Sequence, residues 1–304
     1  QLGAAGIEFR NDLQYGRRLG HGQSFSRPPR STFGRHELGF YTVQMHEPQT
    51  LIVGQGASAR SIAYLSTGGA QPEGASLFWL SGFMSDMAST KAAALAEFAE
   101  AQGLGFTRFD YSGHGRSGGA FADGTIGRWL DETVAVFTRV SRGPQVVIGS
   151  SMGGHIALLL LRRLMREAPD AAQRIKGLVL IAPAWDMTEE LMWKKFPETV
   201  KQEILAKGFH MRPSAYAEPY TITRALIEDG REHLLARAPF DPGRPIVILQ
   251  GLQDQDVPAA HTRELKTFLT GGHVHMIEIP DGEHRLSRPE DLEKLFEAIE
   301  GLVR

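Results

Sequence analysis

The sequence has no cysteine, no long apolar run and almost no net charge. Each of these three features argues against a class of protein or of site. Without a cysteine among its 304 residues, the chain has no disulfides, no thiolate nucleophile and no cysteine-based zinc site. No window approaches the roughly 18 apolar residues of a membrane span, so we expect no stable membrane insertion. The 33 Lys and Arg nearly balance the 35 Asp and Glu, which argues against a nucleic-acid partner. With no signal-peptide pattern either, the sequence predicts a soluble, cytoplasmic protein.

The first 44 residues differ from the rest of the chain. Their stretch "GRRLGHGQSFSRPPRSTFGRHELG" is rich in Gly, Ser, Arg and Pro and shows no apolar periodicity. We predict an N-terminal arm over residues 1–44 and interpret part of it as fusion or leader sequence. The alternative is a natural arm that wraps on the body or on a neighbour. Residues 45–304 are predicted to form the folded domain.

Short apolar strands alternate with helices through that domain. "SLFWLSG", "QVVIGS" and "GLVLIAP" are unbroken apolar runs, as expected of buried parallel strands. "STKAAALAEFAEAQG" and "MGGHIALLLLRRLMREA" have helical spacing. The alternation predicts an α/β fold with a mainly parallel twisted sheet flanked by helices. It breaks at about residues 184–242, which we interpret as a helical cap inserted over the carboxyl edge of the sheet, where open α/β folds bind ligands.

One turn between a strand and a helix carries a nucleophile motif. Residues 149–153, "GSSMG", match G-x-S-x-G between "QVVI" and "GHIALLLL". A nucleophile at such a sharp turn needs small neighbours so that strand and helix approach closely. Ser151 has glycines two positions away on both sides and is therefore the predicted nucleophile. Ser150 is interpreted as the small residue that the turn requires.

A nucleophilic serine needs a base and a group that orients the base. "VILQGLQDQDVP" supplies two acids, Asp254 and Asp256, after a strand that ends in glycine. An acid three residues after that glycine and just before Val-Pro favours Asp254, with Asp256 as the alternative. "IPDGEHRLS" places His284 in the loop after the next strand, where we predict the general base.

The other histidines fit structural roles better. His155 follows the nucleophile on the same helix and is expected to pack behind it. His114 lies in the glycine-rich stretch "FDYSGHGRS", where we expect an ordinary loop histidine, and Asp110 at its start is expected to be structural. No His or carboxylate cluster has the spacing of metal ligands, so no metal is predicted.

The tetrahedral intermediate of acyl transfer needs two backbone N–H donors. Met152, directly after the nucleophile, is one predicted donor. The loop after "SLFWL" supplies the other, for which we choose Phe83 over Gly82. The predicted substrate pocket, with an apolar character, consists of Gly82, Met84, Trp185, Met192 and Phe196.

With these motifs, the chain resembles the α/β-hydrolase superfamily over about residues 49–304. "SGFMSDMASTKAAALAEFA", "TRFDYSGHGRSGG", "IGSSMGGHIALL", "LQGLQDQDVP" and "WKKFPETVKQEILAKG" are similar to the mitochondrial acyl-protein thioesterases and acyl-glucuronide esterases of that superfamily and to their bacterial relatives. The resemblance implies hydrolysis of carboxylic esters or thioesters by Ser151, Asp254 and His284 without a cofactor. Ser81 stands where many members have histidine, which leaves the backbone donors intact.

The expected partner is therefore a small-molecule ester or thioester with an apolar acyl group. An acyltransferase or a C–C bond hydrolase, which use the same triad, is the alternative. A peptidase would need a subsite for a peptide terminus, and no sequence pattern indicates one. A binding module without activity is disfavoured because all three triad members are present.

Overall fold

The computed structural model describes residues 47–70, 74–213 and 219–303. The predicted arm over residues 1–44, and its interpretation as fusion or leader sequence, lie outside the described residues.

A mixed sheet of eight strands forms the centre of the described domain. The strands among the described residues are β1 (Gln49–Val53), β2 (Arg60–Thr67), β3 (Ser76–Leu80), β4 (Gly105–Phe109), β5 (Gln145–Ser150), β6 (Ile175–Ile181), β7 (Phe209–Arg212), β8 (Tyr220–Thr223), β9 (Ile246–Gly251) and β10 (Val274–Ile279). The sheet order is β1-β2-β4-β3-β5-β6-β9-β10, with β2 antiparallel to both neighbours and the other pairs parallel. The predicted α/β fold with a mainly parallel sheet is confirmed.

Helices cover both faces of this sheet. They are α1 (Thr90–Ala101), α2 (Ile126–Arg139), α3 (Met152–Glu167), α4 (Pro169–Gln173), α5 (Glu198–Lys207), α6 (Arg224–Glu232), α7 (Ala259–Phe268) and α8 (Pro289–Val303). Strand β3 shows how the pleat divides the core, because Phe78 and Leu80 join the cluster with α2 and α3, whereas Leu77 and Trp79 join that with α1 and α8. Among the described helices, none combines the length and apolar character needed to cross a membrane.

The segment between β6 and β9 interrupts the strand–helix alternation, as expected. It contains a π-helical turn (Thr188–Met192), a 3₁₀ turn (Trp193–Lys195), α5 and α6. Between α5 and α6 lie β7 and β8, which pair antiparallel with Phe209 opposite Thr223. The sequence predicted only helices here. These two strands have four residues each, too few for a period-two pattern to stand out.

Candidate active site

Ser151 stands at the turn from β5 into α3 in a strained conformation. Its φ of 54° and ψ of −117° lie in a region that non-glycine residues rarely adopt, at a cost of about 1–3 kcal/mol. The flanking glycines make the turn sterically feasible. A Cβ on Gly153 would lie 2.1 Å from the carbonyl oxygen of Leu80, and one on Gly149 would lie 2.3 Å from that of Gly153. The motif thus positions Ser151 at the carboxyl end of β5, where the start of α3 lies in close contact with the backbones of β5 and β3.

His284 links Ser151 to a buried acid. Its Nε2 lies 3.1 Å from Oγ of Ser151, and its Nδ1 lies 2.9 Å from Oδ2 of Asp254. A carboxylate accepts hydrogen bonds, so Nδ1–H is the donor and Nε2 is left to accept the serine proton. The Asp254 side chain is inaccessible to solvent, whereas that of His284 is 24% exposed. The structure therefore brings the three predicted triad residues into one hydrogen-bonded chain.

The two candidate acids occupy different environments. Oδ1 of Asp254 accepts the backbone N–H groups of Asp256 and Val257 at 2.9 and 2.8 Å, which fixes its carboxylate. Asp256 is exposed, and its carboxylate has no hydrogen-bond partner in the described part of the chain. One potential ligand atom from each of Asp254, Asp256 and His284 lies within 4.8 Å of the others. The hydrogen bond from Nδ1 to Oδ2 already engages two of these three groups, so the geometry favours a triad over a metal site.

Hydrogen bonds from a lysine of helix α1 hold the loop that carries His284. Lys91 donates from Nζ to the carbonyl oxygen of Arg285 and to Oγ of Ser287, the latter at 3.3 Å. Burial lowers the pKa of Lys91 to about 8. The sequence did not single out this lysine, because an isolated Lys at the start of a helix is ordinary.

Two backbone N–H groups beside Ser151 are free to bind an oxyanion. The Met152 amide opens α3, and neither it nor the Phe83 amide has an acceptor among the described residues. In the loop after β3, the Met84 amide donates to His114 and the Ser85 amide donates to the Gly82 carbonyl oxygen. These two donors are committed elsewhere, whereas the Gly82 amide, like that of Phe83, has no acceptor among the described residues. The choice of Phe83 over Gly82 as the second donor therefore stays a prediction.

The loop after β3 lies directly against Ser151. A Cβ on Gly82 would lie 3.4 Å from Cβ of Ser151. Ser81, the predicted departure from the superfamily pattern, is buried and accepts the indole N–H of Trp79 at 2.9 Å while donating to the Asp86 carbonyl oxygen at 3.2 Å. Serine thus serves here as an internal brace of the loop.

The stretch "FDYSGHGRS" supports the same loop from the other side. Oδ1 of Asp110 accepts the Met87 amide at 2.6 Å and its Oδ2 accepts the Arg116 amide at 2.7 Å, as suits a structural carboxylate. Burial raises the pKa of Asp110. His114 is buried, and its Nε2 accepts the Met84 N–H at 3.2 Å. We had expected an ordinary loop histidine and did not predict this contact. The glycines on both sides of His114 were the available signal of a tightly packed turn.

His155 packs behind the nucleophile helix. It is 1% exposed, and its Nδ1 accepts the Asp186 amide at 3.3 Å. Burial, aided by positive neighbours, lowers the pKa of His155 to about 3, so its ring is neutral at physiological pH.

The predicted pocket residues occupy two environments. Met84 is 41% exposed in the loop after β3, and Phe196 is half-buried. Met192 is buried, and Trp185 is 1% exposed, with its indole N–H bonded to the His261 carbonyl oxygen at 2.7 Å and its ring stacked on that of His261. The contacts of Trp185 are therefore those of a core residue against α7. The pocket role of the set stays a prediction.

An aromatic cluster surrounds the predicted oxyanion donor. The ring of Phe83 packs edge-on against Phe121 at 5.0 Å, Tyr220 at 5.6 Å and Trp129 at 5.9 Å between centroids. Tyr220 belongs to β8 and brings the inserted segment onto this cluster. The surroundings of the Phe83 ring are accordingly aromatic.

Comparison with known proteins identifies the class to which this fold and site belong. Residues 71–229, just over half of the chain, match the Hydrolase_4 family model, described as "Serine aminopeptidase, S33". The chain belongs to this family of α/β hydrolases.

Individual relatives narrow the similarity. The mitochondrial palmitoyl-protein thioesterase ABHD10 of Bos taurus is 29% identical over 247 residues, which span 80% of this chain and 76% of the relative. A crystal structure of a hydrolase from Agrobacterium vitis S4 is 43% identical with a TM-score of 0.82, covering 85% of this chain and 99% of that one. The mouse α/β-hydrolase domain-containing protein 10 is 27% identical with a TM-score of 0.71, covering 84% of this chain and 98% of that one.

These relatives correct the predicted localisation. The sequence predicted a cytoplasmic protein, but the curated relatives that match it, the bovine and human ABHD10 proteins, are mitochondrial. The cytoplasmic prediction is wrong because it rested on the lack of a signal-peptide pattern, which carries no information on other compartments.

Proposed function

We propose that the protein is a serine hydrolase that cleaves carboxylic esters or thioesters through an acyl-enzyme on Ser151. The observation that carries the proposal is the hydrogen-bonded chain from Asp254 through His284 to Ser151, with distances of 2.9 and 3.1 Å. The family and the thioesterase relatives support hydrolysis as the reaction class.

The proposed reaction begins with proton transfer from Ser151 to His284. Nε2 of His284 takes the hydroxyl proton as Oγ of Ser151 forms a bond to the acyl carbon. The imidazolium that results is stabilised by Asp254, whose carboxylate is held in place by two backbone hydrogen bonds. The imidazolium then protonates the leaving alcohol or thiol. Water repeats the sequence on the acyl-enzyme, with His284 again as the base.

The developing oxyanion is the charge that the site must stabilise. The free amides of Met152 and Phe83 are the proposed donors, and the first of them also lies at the N-terminus of α3, where the helix dipole favours negative charge. Removal of one such donor typically costs about 100- to 1,000-fold in kcat. The chemistry needs only these groups and water.

The acyl group of the proposed substrate is apolar. Phe83 follows Gly82, which lies against Ser151, and its ring packs with Phe121 and Tyr220 in an aromatic cluster that we propose as one wall of the pocket. Met84 adds exposed apolar surface. We propose that residues 184–242 act as a cap that completes this pocket, with Met192 and Phe196 as contributors. The ABHD10 relatives are described as palmitoyl-protein thioesterases, which agrees with a long apolar acyl chain.

The direct test is hydrolysis by the parent and two adjacent serine variants. p-Nitrophenyl esters from acetate to palmitate and the matching acyl thioesters serve as substrates. Ser151→Ala is expected to lose at least about 1,000-fold in kcat, because the acyl-enzyme no longer forms. Ser150→Ala, one residue away, is expected to keep activity. A rate that is independent of acyl length in both series would contradict the proposed apolar pocket, and equal rates for Ser151→Ala and the parent would contradict the proposed function.

A further inference from the structure

The hydrogen bonds of His114 define its tautomer. The ring is buried, with its Nδ1 3.2 Å from the Ser112 carbonyl oxygen and its Nε2 3.2 Å from the Met84 backbone nitrogen. A carbonyl only accepts and an amide only donates, so the proton must reside on Nδ1 and the lone pair on Nε2 must face the Met84 N–H. Both ring nitrogens are therefore satisfied by the backbone of two different loops.

The Met84 amide belongs to the peptide group that follows Phe83. Because a peptide group is planar, a hydrogen bond that fixes the Met84 N–H also fixes the orientation of the Phe83 carbonyl and thereby ψ of Phe83. Met84 itself has a φ of 59°, a backbone conformation that is uncommon for residues other than glycine and has to be stabilised by the surroundings. The bond from His114 is such a constraint, directly next to the proposed oxyanion donor.

The His114 ring has no room to leave this position. It packs edge-on against Phe121 at 5.2 Å, Trp129 at 5.3 Å and Tyr111 at 5.8 Å between ring centroids. Phe121 and Trp129 also contact the ring of Phe83. The same aromatic cluster thus holds the histidine and the residue whose backbone it positions.

Burial keeps the ring in the form that this contact requires. Burial lowers the pKa of His114, against smaller raising effects from the Ser112 carbonyl and from Asp86. A neutral ring has the acceptor that the Met84 amide needs, whereas a protonated ring would present N–H to N–H.

From this geometry we infer that His114 is a positioning residue for the oxyanion hole: its Nε2 lone pair holds the Met84 amide and so aims the free Phe83 N–H at the developing oxyanion. The inference rests on the proposed function, since an oxyanion forms only if Ser151 attacks an acyl carbon. His114 does not touch the reacting atoms, and it acts through the backbone of Phe83 and Met84. It gives the buried histidine of "SGHGRS" a specific part in the reaction.

Replacement by amides of two lengths separates positioning from mere packing. In His114→Gln the side-chain oxygen reaches the place of Nε2 and accepts the Met84 N–H, whereas in His114→Asn it stops near the place of Nδ1. His114→Phe keeps the aromatic volume and has no acceptor. We expect Asn and Phe to lower kcat about 10- to 100-fold with KM within about threefold, and Gln to recover most of the loss.

A second readout reports on the oxyanion itself. A trifluoromethyl ketone bearing an apolar chain adds to the serine and leaves a charged oxygen in the hole, as the reaction does. Its inhibition constant is expected to weaken in Asn and Phe in parallel with kcat, and to return toward the parent value in Gln. His275→Asn, an exposed histidine on β10, is the matched control for loss of a histidine.

The outcomes keep the inference apart from the proposed function. Equal kcat in Gln, Asn and Phe, whether high or low, would overturn the positioning role, since the acceptor would then make no difference. If Phe fails to fold, the comparison of Gln with Asn still decides, because the two differ by one methylene. If Ser151→Ala keeps activity, the proposed function fails first, and no oxyanion remains for His114 to serve.

Discussion

Nε2 of His284 lies 3.1 Å from Oγ of Ser151, although 133 residues separate the two in the chain. Ser151 follows β5 and His284 follows β10, and both strands are part of the same parallel run of the sheet. Parallel strands deliver their carboxyl ends to one edge, so residues from distant loops meet there. The contact is therefore a consequence of the topology.

The two acids of the 254–257 loop give a matched pair of variants. Asp254→Asn is expected to lower kcat by roughly 100- to 10,000-fold. An amide in place of the carboxylate neither stabilises the imidazolium of His284 nor holds its neutral imidazole in the tautomer with the proton on Nδ1. Asp256→Asn is expected to stay within about threefold of the parent, because its exposed side chain makes no hydrogen bond within the described residues. Steady-state kinetics with one ester measure both. A larger loss in Asp256→Asn than in Asp254→Asn would transfer the orienting role to Asp256.

Gly153 tests the close approach of α3 to β3. Gly153→Ala would put a Cβ 2.1 Å from the Leu80 carbonyl oxygen, and we expect a loss of about 2–4 kcal/mol in the free energy of unfolding together with reduced activity. Gly301→Ala, in α8, places its Cβ where no described atom beyond the adjacent residues and the local helix backbone lies within 4 Å. That control is expected to be neutral or to stabilise by up to about 1 kcal/mol, since alanine favours the helix. Urea denaturation measures both, and equal stability of the two variants would contradict the packing described.

His155 makes the stability of the fold sensitive to acid. Its pKa is about 3 in the folded protein against 6.5 for an ordinary histidine, so the unfolded chain takes up a proton first as the pH falls. The stabilisation from the neutral buried ring is complete above pH 6.5 and is lost progressively between pH 6.5 and about 3. His155→Asn keeps an acceptor for the Asp186 amide but does not titrate.

The comparison of these two proteins isolates the histidine. Between pH 7 and 4.5, the parent is expected to lose about 2 kcal/mol more of its free energy of unfolding than His155→Asn does. Urea denaturation at a series of pH values gives the two slopes. Identical slopes would show that His155 contributes nothing to acid sensitivity.

The fold and the triad geometry could be predicted from the sequence because their signals are local. Gly149 is required by the Gly153 backbone within the turn and Gly153 by the Leu80 carbonyl of β3, and both stand in the short motif around Ser151. Asp254 and His284 each follow an apolar strand in a short loop. Contacts between loops carry no such signal. The hydrogen bond from the Met84 amide to Nε2 of His114 joins positions 30 residues apart, and neither residue type predicts it.

Two further differences have separate physical reasons. The hairpin of β7 and β8 escaped prediction because its strands have only four residues each, so the apolar–polar alternation of FHMR and YTIT is too short to identify a strand. The cytoplasmic prediction failed for a different reason, since the residues that build the sheet and the site do not encode a compartment. Only comparison with the mitochondrial ABHD10 relatives corrected it.

The most direct test of the central claim is labelling with a fluorophosphonate probe, read by intact mass and by identification of the modified peptide. The probe phosphonylates a serine hydroxyl only where a base activates it. The account predicts one adduct on Ser151 in the parent and in Ser150→Ala, and none in Ser151→Ala or, on the same time scale, in His284→Ala. An adduct that persists in Ser151→Ala, or that maps to Ser150, would contradict it.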